Sequence, residues 1–175
     1  MESLSAPKWK AKVSTLALEM ATADQIWPLL LDFFNLHQWF PSLAMCRGVH
    51  GTNGEPGAIR YCTGFSLSAS SIDSQPTKYD LGNKDKSDPV NWSKEKLVSV
   101  DHVKRSLSYE IVENIGFKSY VSTIGVVPRG DGCLIEWEIV VDPVEGWELD
   151  DLVSKYEMGL KGMAKNMEDH VLGIH

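Results

Sequence analysis

Toward the C-terminus, apolar side chains fall at Leu149, Leu152, Val153, Tyr156, Leu160, Met163, Met167 and Val171, the three- and four-residue steps of a single helical face. The spacing predicts one amphipathic helix from about Glu148 to Val171, roughly 36 Å long. Glu148, Asp150 and Asp151 suit the positive end of its dipole, His170 suits its last turn, and Gly173 suits the residue just past the end. So long a stripe needs a partner, and the rest of the chain offers strands. The methionines and Gly159 on or beside the stripe would make an adaptable wall against a small ligand, or simply pack a core.

Before that helix the period changes. Trp9 to Leu18 reads as a first strand, with Trp9, Ala11, Val13, Thr15 and Ala17 on one side. Thr22 is an expected N-cap, with Gln25 placed to close a capping box. The helix it opens carries Ile26, Leu29, Leu30 and Phe33, is interrupted near Pro28 and ends close to Asn35. A second short helical turn is expected at Leu36 to Phe40, stopped by Pro41. Strands follow at 46–50, 58–67, 92–100, 107–113, 120–127 and 133–141, separated by turn sequences such as NGEPG and PRGDG. In the last of them Cys133, Ile135, Trp137, Ile139 and Val141 share a face while Glu136 and Glu138 take the other. The stretch 68–91, rich in serine, lysine and aspartate, is expected to be a flexible loop. The whole of 1–175 then makes a single domain.

Alternation also exposes polar residues on the side that should be apolar. If Lys94 and Lys96 face water, Glu95 points inward with Leu97. Arg60 shares a face with Ala58 and Cys62, Tyr109 with Leu107 and Ile111, and Tyr120 with Ile124 and Val126. An arginine, a glutamate and two phenols thus converge inside the sheet, where a charge is tolerated only when paired or solvated. Such a set can hold a polar ligand head or move a proton, and it can equally be a structural ion pair with two core tyrosines. Trp39 and Phe40, with His37, either line a pocket mouth or pin the second short helix.

Composition narrows the choices. An aliphatic and aromatic share of 43% is that of a globular protein, and the 175 residues suffice for a sizeable core. There is no apolar run long enough to span a membrane and no apolar core of a signal peptide in MESLSAPKWKAK. Three widely spaced cysteines, Cys46, Cys62 and Cys133, indicate neither a disulfide framework nor a zinc site, so a reducing, cytoplasmic setting is expected. A formal charge of -7 with scattered basic residues argues against nucleic acid. No phosphate loop, nucleophile elbow or metal-ligand spacing is present.

The ordered segments KWKAKV at 8–13, DFFNLHQWFPSL at 32–43, IRYCTG at 59–64, WSKEKLVSVD at 92–101 and SLSYEIVEN at 106–114 carry a resemblance that spans nearly the whole chain. They resemble the START and pollen-allergen-like superfamily of polyketide cyclases and lipid-transport proteins, and within it the plant lachrymatory-factor synthases. The resemblance implies an α+β helix-grip fold: a curved seven-stranded antiparallel sheet wrapped around the long C-terminal helix, with two short helices after the first strand. It implies that Arg60 within IRY and Glu95 within WSKEKL are a catalytic pair, with Tyr109 and Tyr120 in the same cavity. The implied reaction is rearrangement of an alkenyl sulfenic acid to a thial S-oxide by proton transfer, with Arg60 orienting an oxyanion, Glu95 shuttling the proton, and neither cofactor nor metal. Trp39, Phe40, Phe117, Trp137, Tyr156 and Met163 are the expected ligand contacts. A monomer binding a small hydrophobic or amphipathic molecule is implied, with non-catalytic binding or transport of a plant metabolite as the other reading.

Overall fold

A computed structural model describes residues 7–15, 18–41, 43–64, 92–114 and 116–174. Strand β1 (Trp9–Ser14) leads into helix α1 (Ala23–Leu31) and a 3₁₀ segment (Phe33–Gln38). Strands β2 (Met45–His50), β3 (Ile59–Thr63), β4 (Trp92–Asp101), β5 (Ser106–Asn114), β6 (Tyr120–Arg129) and β7 (Gly132–Val141) follow, and helix α2 (Leu149–Val171) ends the fold. The strands form one antiparallel seven-stranded sheet in the order β1-β7-β6-β5-β4-β3-β2. This is the helix-grip arrangement.

Local chemistry explains the elements. Thr22 caps α1 through a capping box in which its side chain accepts from the Gln25 backbone and the Gln25 side chain accepts from Thr22 N–H. Pro28 sits inside α1, and the helix ends three residues later; the chain then tightens into the 3₁₀ segment at Phe33–Gln38 rather than the expected turn at Leu36 to Phe40. Likewise β1 stops at Ser14, and Leu18 makes a single bridge to Cys133. Glu148 proves to be the N-cap of α2 rather than part of its first turn, and its side chain accepts from the backbone of Asp151.

The inner face of the sheet and the stripe of α2 make the core. Leu152, Tyr156, Leu160, Met163 and Met167 from the helix meet Ile124, Val126, Ile135, Trp137, Ile139 and Val141 from the strands, all buried. Burying a side chain of this size contributes roughly 1.5 to 3 kcal/mol, which is why a helix with so polar an outer face stays on the sheet. The expected loop at 68–91 lies outside the described residues.

Two glycines set how closely aromatic rings approach. A Cβ on Gly48 would fall inside the Phe34 ring, so the 3₁₀ segment lies flat on β2 only because that position is bare. A Cβ on Gly159 would come 2.5 Å from Cζ of Phe40, so the middle of α2 leaves room for that ring. Asp32 and Asn53 fix the same region from the other side: Asn53 Nδ2 donates to Asp32 at 2.6 Å, and its Oδ1 accepts from Phe34 N–H at 3.0 Å.

Candidate functional site

Arg60 and Glu95 stand directly opposite each other in the β3–β4 ladder. Between Lys94 and Glu95 the pairing of β4 with β5 slips, leaving Val112 as an extra residue on β5; a second slip between Leu97 and Ser99 leaves Val98 extra on β4. Such paired bulges bend a strand and re-aim its side chains, here on either side of the glutamate.

Arg60 is 2% exposed and Glu95 8% exposed. Arg60 Nε donates to Glu95 Oε1 at 3.0 Å, and Nη2 makes an ion-pair contact with the same oxygen at 2.9 Å without hydrogen-bond alignment. Nη1 donates to the carbonyl of Phe33 at 2.8 Å. The guanidinium stacks over the Phe33 ring at 3.8 Å and the Tyr109 ring at 4.8 Å. Burial, the largest single influence, lowers the Arg60 pKa, but the Glu95 carboxylate together with Cys62, Tyr109 and Cys46 more than offsets it, and the net shift is upward. Arg60 is therefore a fixed cation. Oε1 of Glu95 is committed to it, whereas Oε2 receives a long bond from Ser93 Oγ at 3.4 Å.

A cavity of about 50 Å³ lies against Glu95. Its apolar wall is Leu36, Phe40, Leu43, Ile111 and Phe117, and its polar groups include Glu95, Ser93, Cys62, Asn114, Tyr109, Tyr120 and Tyr156, with Trp92 and Trp137 completing it. The floor is a chain of hydroxyls. Tyr156 donates to Tyr120 at 2.7 Å, Trp137 Nε1 donates to Ser122 Oγ, and the Tyr109 ring lies 6.1 Å from that of Tyr120. Asn114 fixes the turn that carries Phe117 by donating to its carbonyl at 2.9 Å and accepting from its N–H at 2.6 Å.

Burial raises the pKa of all three tyrosines well above the ordinary phenol value. Neighbouring phenols add to the rise in each case, Tyr120 for Tyr109, Tyr156 for Tyr120 and Tyr109 for Tyr156, and so does the negative charge of Glu95. At neutral pH the floor therefore offers O–H donors and no phenolate. A carboxylate, hydrogen-bond donors and apolar walls around one small cavity suit a small amphipathic molecule. Among the described residues no cluster of three or more His, Cys, Asp or Glu side chains is arranged to hold a metal.

The expected residues separate into three groups. Glu95, Tyr109, Tyr120, Phe40, Phe117, Trp137 and Tyr156 border the cavity. Arg60 does not: it lies behind Glu95 and touches the site through that carboxylate, so direct contact with a ligand oxyanion is not its position. Trp39 and Met163 are also elsewhere. Trp39 is buried with its ring edge-on to His170 at 4.9 Å and its carbonyl accepting from Asn166, and Met163 is fully buried in the helix–sheet core. Ser93, Ser122, Cys62 and Asn114 were not foreseen. The inward parity of Ser93, Ser122 and Cys62 was readable, but small polar side chains carry no signal until their partners are known; Asn114 has the outward parity of Glu110 and is turned inward past the extra Val112.

Comparison with known proteins decides the family. Residues 10–168 match the family described as polyketide cyclase / dehydrase and lipid transport. The chain belongs to that family. Among solved structures, this member of the cyclase and lipid-transport family is similar to the major latex-like protein 151 of Panax ginseng. One crystal form gives a TM-score of 0.69 at 17% identity, covering 95% of this chain and 99% of the ginseng chain. A second crystal form gives 0.65 at 18% identity, covering 94% and 98%. At such identities the likeness concerns the fold. No described helix is long and apolar enough to cross a membrane.

Proposed function

We propose that the cavity is a proton-transfer site of the lachrymatory-factor-synthase type, acting on a short alkenyl sulfenic acid. The observation that carries this reading is the division of labour within one carboxylate. Oε1 of Glu95 is held by Arg60, whereas Oε2 receives only the long bond from Ser93, in a residue that borders the cavity. In the proposed reaction Glu95 removes the sulfenic O–H proton and returns it to the alkene carbon remote from sulfur, while the carbon–carbon double bond shifts to carbon–sulfur. Hydroxyls of Tyr109 and Tyr120 donate to the sulfenyl oxygen as charge gathers there. Arg60 aims the Glu95 carboxylate through two contacts to Oε1, which makes it a positioning residue rather than the oxyanion clamp.

Size supports the choice of substrate. A cavity of about 50 Å³ has room for roughly three to five waters, which suits a molecule of few heavy atoms. A second reading, non-catalytic carriage of a small hydrophobic metabolite, is favoured by the apolar wall of Leu36, Phe40, Leu43, Ile111 and Phe117. Either role is compatible with a monomer in a reducing compartment such as the cytoplasm. The two separate in one experiment: generate an alkenyl sulfenic acid in place by enzymatic cleavage of its precursor and follow thial S-oxide with and without the protein. Formation above the spontaneous yield supports catalysis; unchanged yield, together with a ligand retained in native mass spectrometry, assigns carriage.

A further inference from the structure

Cys46 and Cys62 lie far apart in the sequence but directly opposite each other in the β2–β3 ladder. Their sulfurs are 2.7 Å apart, both thiols are buried and both are free. A disulfide between them needs the sulfurs to close to about 2.05 Å, and directly paired antiparallel residues have Cα separations of about 4.5 to 5.5 Å, inside the range a disulfide spans. We propose that Cys46 and Cys62 are a dithiol oxidation site, converted by a small hydroperoxide to a cross-strand disulfide in the wall of the cavity.

The two thiols share their protons unequally. A hydrogen bond from Cys62 lowers the Cys46 pKa, burial opposes this, and the charge of Arg60 lowers it further. Cys62 is pushed up, first by its hydrogen bond with Cys46, then by burial and by Glu95. Cys46 is thus the sulfur favoured to lose its proton and attack a peroxide, and the second thiol lies 2.7 Å from it. The first attack breaks the O–O bond, gives a sulfenic acid and releases an alcohol, or water from hydrogen peroxide. The second sulfur then displaces the oxygen as water and the S–S bond forms. In sum, two thiols and one hydroperoxide give one disulfide, one alcohol and one water. A small oxidant is required by the geometry, because both thiols are buried, Cys46 at 5% and Cys62 at 2% exposure.

The bond would act where the ligand sits. Cys62 Sγ is 4.0 Å from Oε1 of Glu95, so oxidation changes the group beside the carboxylate and ties the edge strand β2 to β3. Cys133 is a built-in contrast: it is fully buried, its thiol donates to the carbonyl of Ala21 at 3.2 Å, and burial raises its pKa to about 11.

The test treats the folded, reduced protein with hydrogen peroxide, counts free thiols, and maps them by alkylation and peptide mass spectrometry. The expected result is a fall from three thiols to one, a peptide pair linked through Cys46 and Cys62, and full recovery with a dithiol reductant. Cys46→Ser and Cys62→Ser should each abolish the linked pair. Survival of all three thiols, over-oxidation of Cys46 or Cys62 without the link, or preferential oxidation of Cys133 would overturn the proposal. The readout does not depend on turnover, so it stands apart from the catalytic reading.

Discussion

Arg60 and Glu95 face each other across adjacent strands, yet only the glutamate borders the cavity, and the arginine reaches it through one oxygen of that carboxylate. The guanidinium is also held by the Phe33 carbonyl and by two aromatic rings. Arg60→Lys keeps the charge but loses the fork and the stacking. It should cost about 1.5 to 3 kcal/mol, the worth of a hydrogen bond to a charged group, measured by denaturant unfolding. Unchanged stability would show that the surroundings of Arg60 do not depend on its planar shape.

Gly159 and Gly162 provide a paired test of the cavity wall. Gly159→Ala puts a methyl 2.5 Å from Phe40 Cζ and should push that ring, weakening ligand binding even though alanine favours the helix. Gly162→Ala meets only Pro41 Cδ at 4.0 Å and should raise stability by up to about 1 kcal/mol while leaving binding alone. Thermal melts beside ligand titrations check both. Equal binding in the two variants would separate Phe40 from the ligand.

Alkaline stability reports on the tyrosine floor. Unfolded tyrosine ionises near pH 10, whereas Tyr109, Tyr120 and Tyr156 hold their protons to higher pH in the fold. Above about pH 10 the unfolded chain binds fewer protons than the native one, so stability falls as pH rises. The stabilisation is whole below that pH and is lost upward from it. Tyr156→Phe should flatten the fall, and near neutrality it should cost about 1 kcal/mol for the bond to Tyr120. Unfolding midpoints between neutral pH and pH 11 measure this, and an unaltered slope would exclude Tyr156 as a contributor.

Much of this site was legible because burial in a strand follows a period of two. That period singled out Glu95 from Lys94 and Lys96, Arg60 beside Ala58 and Cys62, and both Tyr109 and Tyr120; the helical stripe likewise contained Tyr156. Strand register is different. The pairing of Arg60 with Glu95 and of Cys46 with Cys62 depends on how β2, β3 and β4 align, which no single strand encodes. Parity also fails past a bulge: Ser99 shares the sequence parity of Leu97 but is exposed, because Val98 is inserted between them. Trp39 and Met163 misled because an inward-facing apolar residue looks alike in sequence whether it meets a ligand or the core.

The central claim is that Glu95 moves a proton in the cavity, and the most direct measurement is turnover of a short alkenyl sulfenic acid by Glu95→Gln. The amide keeps the size of the side chain and still accepts from Arg60, but it cannot take up and return a proton. Leaving Arg60 without its counter-charge should lower stability by about 3 to 5 kcal/mol, so the assay runs beside a thermal melt at a temperature where the variant is folded. The account predicts that the folded variant still binds ligand and that its rate falls by at least about 100-fold, the usual worth of a positioned general base. Thial S-oxide formation by folded Glu95→Gln at the wild-type rate would contradict it.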